Sequence, residues 1–343
     1  MPVILALLVS MAVPVCAAQF TAPQVPEAGE KQMPEATDSF GAGLWELCKN
    51  IVSDLHPDLR EGIRVSLSLI AAVMMVSLLR TCSGNVSAMA ELAGTVAVAT
   101  ILLFSTNSML TLGAETVRNM SEYGKLLFPV LTAAMAAQGG VTASAALYAG
   151  TVAVDVAVSS LITGLLLPMV YLFLALATAN SALEEDVLKK MRDLIKSTVG
   201  WCLKTVLTVF MTYMSITGVV SGTTDAVALK ATKFTISNLV PVVGGILADA
   251  SEAVLVSAGL ARNAAGIYGI LAILAVFLGP FSRIWIQYMI LKASAAVCGV
   301  FGSKRMTGLI EDFSSAMGLV LAMTGAVCLL LLISTVCFLK GVG

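Results

Sequence analysis

The sequence predicts an all-α, polytopic helical membrane protein with about seven or eight transmembrane helices, including broken and amphipathic segments. Two features of composition indicate this class, because 58% of the 343 residues are hydrophobic and only 12% are charged. Soluble domains average about 25% charged residues. A third indication is the recurrence of apolar runs near the roughly 20 residues that a helix needs to cross a bilayer. The net charge of −1 gives no basic surface for nucleic acid.

The first residues have the pattern of an export signal. Residues 3–15 are apolar but too short to span a bilayer, and small residues follow up to Ala18. We therefore predict a signal peptide over residues 1–18; a lipoprotein site at Cys16 is the less favoured alternative. Residues 19–64 are polar and rich in Pro, Glu and Asp, which predicts a flexible extracytoplasmic tail.

Two groups of membrane helices are predicted after this tail, over residues 65–180 and 201–343. The first group has apolar runs at 65–79, 92–112, 126–137, 141–163 and 164–180, and the second at 201–221, 264–282, 284–301 and 314–339. The run 126–137 is short for a full crossing. Five crossings therefore precede residue 181 if 126–137 spans the membrane, and three if it does not.

Residues 181–200 predict a cytoplasmic amphipathic helix. Ser181 and Glu184 have the spacing of a capping box, and apolar residues recur at steps of three and four between positions 183 and 199. Four basic side chains in the same segment place it in the cytoplasm by the positive-inside rule. An exported tail and a cytoplasmic helix require an odd number of crossings between them.

The stretch 225–263 is predicted to be the functional region of the chain, since it mixes charged residues with a Pro/Gly turn between apolar spans. Such a stretch is costly in a membrane unless it is buried in protein or lines water. The residues singled out are Asp225, Lys230, Lys233, Pro241, Gly244, Gly245, Asp249, Glu252 and Arg262. We expect them to line an aqueous vestibule or to bind a partner. The alternative for Asp249 is a structural role, favouring a helix N-terminus through its dipole.

Asp155 is the one acidic residue in the middle of a predicted span. A carboxylate there is expensive in lipid and should face protein or a cavity. Two readings stay open: Asp155 lines a polar path, or it is hydrogen-bonded to Ser or Thr of a neighbouring helix.

No motif predicts an enzyme. The sequence has no Gly-x-Ser-x-Gly elbow, His-Glu-x-x-His zinc motif or phosphate-binding loop. Its single histidine, His56, lies in the polar tail and cannot build a multi-histidine metal site. We therefore predict no catalytic residues, no metal and no cofactor.

Several segments resemble the stage III sporulation protein AE family of endospore-forming bacteria. The segments that carry the resemblance are Thr224-Asp225, Lys230-Ala-Thr-Lys-Phe, Asn238-Leu-Val-Pro-Val-Val-Gly, Leu247-Ala-Asp-Ala-Ser-Glu-Ala-Val and Arg262-Asn263-Ala-Ala-Gly266. Further likeness is found in the stretch 128–140 and the Lys-Ala-Ser-Ala-Ala run at 292–296. The resemblance covers roughly residues 60–340, so nothing is carried over to residues 19–60.

The resemblance implies a multi-pass protein of the mother-cell membrane around the engulfed forespore. It implies membership of a channel or "feeding-tube" complex that sustains forespore development and late forespore sigma-factor activity. The implied partners are the other membrane proteins of the stage III sporulation A operon and a forespore membrane protein across the intermembrane space. The resemblance implies no catalytic residues.

Two other functions stay open from the residues alone. One is a permease that moves a small solute by alternating access, which is suggested by Asp155 and by a weak internal sequence repeat. The repeat consists of Phe128-Pro129-Val130-Leu131 and Val240-Pro241-Val242-Val243. Transporters are often built from such repeats. The other is a non-conducting membrane scaffold that only docks partners. Self-association is a further alternative.

Overall fold

The computed structural model describes residues 24–34, 40–82, 87–137, 141–183, 186–216, 264–301 and 304–341. These residues are almost entirely helical, and none of them forms a strand. The predicted all-α fold is therefore confirmed over the described part of the chain. The predicted signal peptide and residues 217–263 lie outside it, and the predicted domain boundaries stay predictions.

Eight α-helices are described, in chain order. They are α1 (Glu27–Glu30), α2 (Phe40–Cys82), α3 (Ser87–Ala137), α4 (Val141–Leu161), α5 (Leu167–Leu183), α6 (Asp186–Ile216), α7 (Ala264–Phe301) and α8 (Lys304–Gly341). A π-helical turn, Ile162–Leu166, joins α4 to α5.

Six helical segments within the described residues are long and apolar enough to cross a membrane. They are Phe40–Thr81, Met89–Ala133, Leu147–Leu183, Val187–Met214, Gly266–Phe301 and Lys304–Leu339. The finer prediction of seven or eight crossings is not confirmed. Three of the six segments precede residue 186, which is the odd number that the predicted topology requires if 126–137 does not cross by itself.

Several segments that the sequence pattern separates belong to one continuous helix in the structure. Residues 40–64, predicted as part of a flexible tail, form the first half of α2, and 126–137 is the last part of α3 rather than a separate span. The runs 264–282 and 284–301 make up one helix, α7, with Pro280 inside it. Proline and glycine are tolerated inside membrane helices because neighbouring groups re-satisfy the freed backbone.

The junction of α4 and α5 has a local cause. Pro168 stands in the first turn of α5 and has no N–H to donate to the carbonyl of Gly164. A π turn at Ile162–Leu166, in which the Leu167 N–H bonds to the carbonyl of Ile162, directly precedes this proline, and 141–163 and 164–180 form one helical run instead of two spans.

Helix α8 is the centre of the bundle. Nearly every residue from Phe313 to Phe338 is buried, and α8 packs against α3, α4, α5, α6 and α7. Close approach of α3 depends on a small residue, because a Cβ atom at Gly113 would overlap the side chain of Val320. The apolar surface of α8 is thus covered by other helices, which leaves the outer helices to meet the membrane.

Candidate functional site

Asp155 is buried where α3, α4 and α8 meet. Its side chain is 4% exposed, and the Ser121 hydroxyl donates a hydrogen bond of 2.8 Å to its Oδ2 atom. Its Oδ1 atom is buried and has no hydrogen-bond partner among the described residues. The carboxylate therefore meets a serine of a neighbouring helix, as one of the two sequence interpretations expected, and one oxygen remains without a partner.

Gly124 lets the helices come together around this carboxylate. A Cβ atom at position 124 would lie 2.7 Å from a methyl carbon of Leu331 and 3.7 Å from Oδ2 of Asp155. The first distance is too short for two carbon atoms. Any larger side chain at position 124 would therefore require the Leu331 side chain to move.

A polar stripe runs along the exposed side of α3. Its exposed residues are Asn107, Ser108, Thr111, Glu115, Arg118, Glu122 and Lys125. The steps of three and four from Thr111 to Lys125 keep these side chains on one face of the helix. The four charges alternate in sign, a pattern typical of a helix face that meets water or other polar groups.

The adjacent part of α2 is polar as well. The exposed polar residues there are Ser53, Asp54, His56, Arg60, Glu61 and Arg64. Helices α2 and α3 run antiparallel and pack together. We call the exposed polar residues of α3 from Thr111 to Lys125, together with Ser53 and Asp54 of α2, the polar face.

A groove adjoins the polar face. It has a volume of about 2000 Å³, with α3 as its floor between Thr100 and Leu110 and with α2 and α5 as its walls. Across the groove, the Tyr171 hydroxyl donates to Oδ1 of Asn107 at 3.3 Å. No three His, Cys, Asp or Glu side chains come together as a metal site anywhere in the described ranges.

Comparison with known proteins gives one consistent answer. The family model for stage III sporulation protein AE matches residues 32–341. The chain belongs to the stage III sporulation protein AE family. A relative of the same name from Bacillus subtilis (strain 168) is 22% identical over 251 residues. That alignment covers 72% of this chain and 63% of the relative, so the chain spans less than two thirds of that protein. No solved structure matches.

The stretch 225–263, where the resemblance to the stage III sporulation protein AE family was densest, lies outside the described residues. All nine predicted site residues between Asp225 and Arg262 therefore stay predictions. Of the predicted site residues, Asp155 is the one whose surroundings are described.

Sequence reasoning missed the contacts that α6 of this family member makes with α8. Arg192 forms an ion pair with Asp312 at 2.5 Å and another with Asp193 at 2.9 Å. The Lys196 ammonium group donates to Ser315 Oγ at 3.1 Å. The sequence analysis used these cations only to place the segment in the cytoplasm, whereas the folded chain turns two of them toward the central helix. The sequence feature that could have predicted this contact is Glu311-Asp312, a pair of acidic residues just before the long apolar run of α8.

The same segment departs from its predicted form in two further respects. The Ser181 hydroxyl donates to the carbonyl of Thr178 inside α5, and Glu184 of the predicted capping box lies outside the described residues. Residues 186–200 are the first half of α6, continuous with the next predicted span. Of the predicted apolar face, Ile195 and Val199 are buried, while Val187 and Leu194 are exposed.

Proposed function

We propose that this chain is an integral-membrane component of the channel complex between the mother cell and the engulfed forespore. Its family membership supports a role in sporulation, and its six long apolar helices support a place in the membrane. The proposed partners are the other membrane proteins of the stage III sporulation A operon and a forespore membrane protein across the intermembrane space. The proposed location is the mother-cell membrane around the forespore, where the complex sustains forespore development and late sigma-factor activity.

The polar face of α2 and α3 carries this proposal. Its side chains are exposed within helices that are otherwise apolar on their outer surface, as at Val96 and Phe104 of α3. Ionised side chains are unstable against hydrocarbon and face a protein partner or a water-filled cavity instead. A subunit of a membrane complex meets both conditions, because its polar face is either part of the conduit or covered by a neighbouring subunit.

Cysteine accessibility in sporulating cells tests this proposal. Cysteines replace Glu115, Arg118 and Glu122 one at a time on a cysteine-free background, and a charged, membrane-impermeant thiol reagent is applied. We expect labelling at these positions to depend on the other proteins of the operon. Val96→Cys, on the apolar exposed part of the same helix, is the matched control and should stay unlabelled because lipid covers it.

Two labelling patterns distinguish the versions of the proposal. Labelling in the intact complex favours a water-filled conduit, whereas protection that is lost when partners are deleted favours a docked scaffold. The proposal of a complex subunit fails if labelling is the same with and without partners and if charge reversal at Glu115 and Arg118 leaves sporulation normal at normal abundance.

Asp155 favours a second function, that of a small-solute permease. A buried carboxylate with one unpartnered oxygen is the kind of group that takes up a proton or cation in transporters. Solute flux by the purified chain in vesicles, lost in Asp155→Asn, would favour the permease. Flux that requires co-expressed partners would favour the channel complex.

A further inference from the structure

The groove between α2, α3 and α5 opens on an apolar surface. Around the end of the groove that contains Phe104 the exposed side chains are large and apolar, and Phe104 itself is 87% exposed. Leu67 of α2 and Leu172 of α5 are also exposed. Side chains of this kind on a membrane protein face lipid, so the groove is open to the acyl chains of the bilayer.

Small side chains make the room in this part of the groove. Helix α5 contributes Ala175, Ala179 and Ala182 to the wall, and Leu103 and Phe104 of α3 lie opposite. The space is much larger than the roughly 300 to 1000 Å³ of pockets for small soluble ligands. An elongated, apolar, open groove of this size suits a flexible hydrocarbon chain.

The other end of the groove is cationic. Arg60 and Arg64 line it from α2, one turn apart on the same face, together with His56 and Glu61. Neither arginine has an ion-pair partner within the described helices. Like charges four residues apart destabilise a helix, so two neighbouring guanidinium groups without carboxylate partners would be stabilised by an anion between them.

We propose that this groove binds one anionic phospholipid. Its acyl chain lies along Phe104, Ala175 and Ala179, and its phosphate is held by Arg60 and Arg64. Guanidinium groups bind phosphate oxygens through paired hydrogen bonds, and basic pockets between membrane helices are a recurring way of holding anionic headgroups. This proposal goes beyond the role in the sporulation complex and does not depend on it.

Hydrogen-bonding groups lie between the two ends of the groove. Asn107 and Ser108 line it about one turn from Phe104, and Tyr171 reaches across to Asn107. The Thr178 hydroxyl, between Ala175 and Ala179, donates to the carbonyl of Leu174. The groups of Asn107, Ser108 and Tyr171 match the ester and glycerol oxygens that separate the phosphate of a phospholipid from its chains. The order along the groove is thus cationic, polar and apolar, which is the order of groups along the lipid.

Brominated lipids test the proposal, because bromine on an acyl chain quenches tryptophan fluorescence on contact. The groove reporter is Phe104→Trp in full-length protein carrying Trp45→Phe, Trp201→Phe and Trp285→Phe. The control reporter is the native Trp201, which is 67% exposed on α6 outside the groove, with the other two tryptophans replaced. Each purified protein in detergent is titrated with brominated phosphatidylglycerol and brominated phosphatidylcholine.

We expect the groove reporter to prefer phosphatidylglycerol, and Trp201 to show a ratio near one. Each arginine should contribute about fivefold to this preference, the usual effect of one basic side chain beside an anionic lipid. Arg60→Ala with Arg64→Ala should therefore abolish the preference at position 104 and leave Trp201 quenching unchanged, which also reports that the variant is folded. Arg60→Lys with Arg64→Lys should keep part of it.

Three results would overturn the proposal. The first is the same lipid ratio at both reporters, which would mean unselective solvation by lipid. The second is a preference at position 104 that survives removal of both arginines. The third is a groove reporter that neither lipid quenches, which would mean that protein, such as a second copy of the chain, covers the groove.

Discussion

Breaking the ion pair between Arg192 and Asp312 should loosen α6 from the central helix. The two groups are 2.5 Å apart, and their side chains are only 14% and 15% exposed. In Arg192→Met the carboxylate of Asp312 stays largely buried and loses its countercharge, with only the nearby Lys196 to compensate. The ion pair between Arg192 and Asp193 is lost as well, but Asp193 is 56% exposed and water replaces the partner.

The expected cost follows from this burial. Removing one partner of a fully buried pair costs about 3 to 5 kcal/mol. Because both side chains keep some contact with water, we expect about 2 to 3 kcal/mol for Arg192→Met, at or below the lower end of that range. Replacing both partners by apolar residues is often neutral, so Arg192→Met with Asp312→Leu should cost about 1 kcal/mol or less.

The assay is unfolding of the purified protein in mixed micelles, with the free energy of unfolding compared across a double-mutant cycle. Lys204→Met is the matched control, because Lys204 is exposed on the same helix and its removal should change stability by less than about 0.5 kcal/mol. The reasoning is refuted if the double variant loses as much stability as the two single variants added together, since that would show no coupling across the α6–α8 contact.

Three smaller predictions concern the interior of the bundle and can be measured by the same unfolding assay. Gly124→Ala should lower the free energy of unfolding by about 1 to 3 kcal/mol, because the new methyl group overlaps Leu331; an unchanged stability would contradict the close packing. Gly200→Ala should raise it by about 0.5 to 1 kcal/mol, because nothing lies within 4 Å of the new atom and glycine is a poor helix former; a loss would mean that something covers that face. Asp155→Leu should cost about 1 to 3 kcal/mol, because the buried Ser121 hydroxyl loses its acceptor, and Ser121→Ala in the same chain should recover part of that loss. If it recovers none, the hydrogen bond is not the cause.

The fold class could be predicted from sequence because composition decides it. A chain with this few charges and this many apolar runs has no other stable arrangement than helices in a membrane. The limits of the helices were harder to predict. Pro280 and the charged stretch of α3 suggested ends, yet both helices continue, since a helix in a packed bundle is stabilised by its buried face and not by propensity alone.

The contacts of α6 show a related limit of the sequence. Periodicity predicts an amphipathic helix with one apolar face, and the basic residues predict a cytoplasmic location, but neither says what the basic residues contact. Glu311 and Asp312 stand near the start of α8 at this level, and Arg192 turns inward to pair with Asp312. A single helix cannot reveal this contact, because the partner lies 120 residues away in the chain.

The surroundings of Asp155 depend on which groups lie at its level in the bundle. The sequence left two interpretations of Asp155 open, a residue that lines a polar path or a carboxylate hydrogen-bonded to Ser or Thr of a neighbouring helix. In the folded chain its partner, Ser121, stands on α3 between Arg118 and Glu122, whose side chains point outward and are exposed. Over these turns α3 has charged groups outside and a hydroxyl–carboxylate pair inside, so this layer of the bundle is not surrounded by hydrocarbon alone. Burial of Asp155 is correspondingly less costly, so its place in the bundle does not by itself require a role in transport.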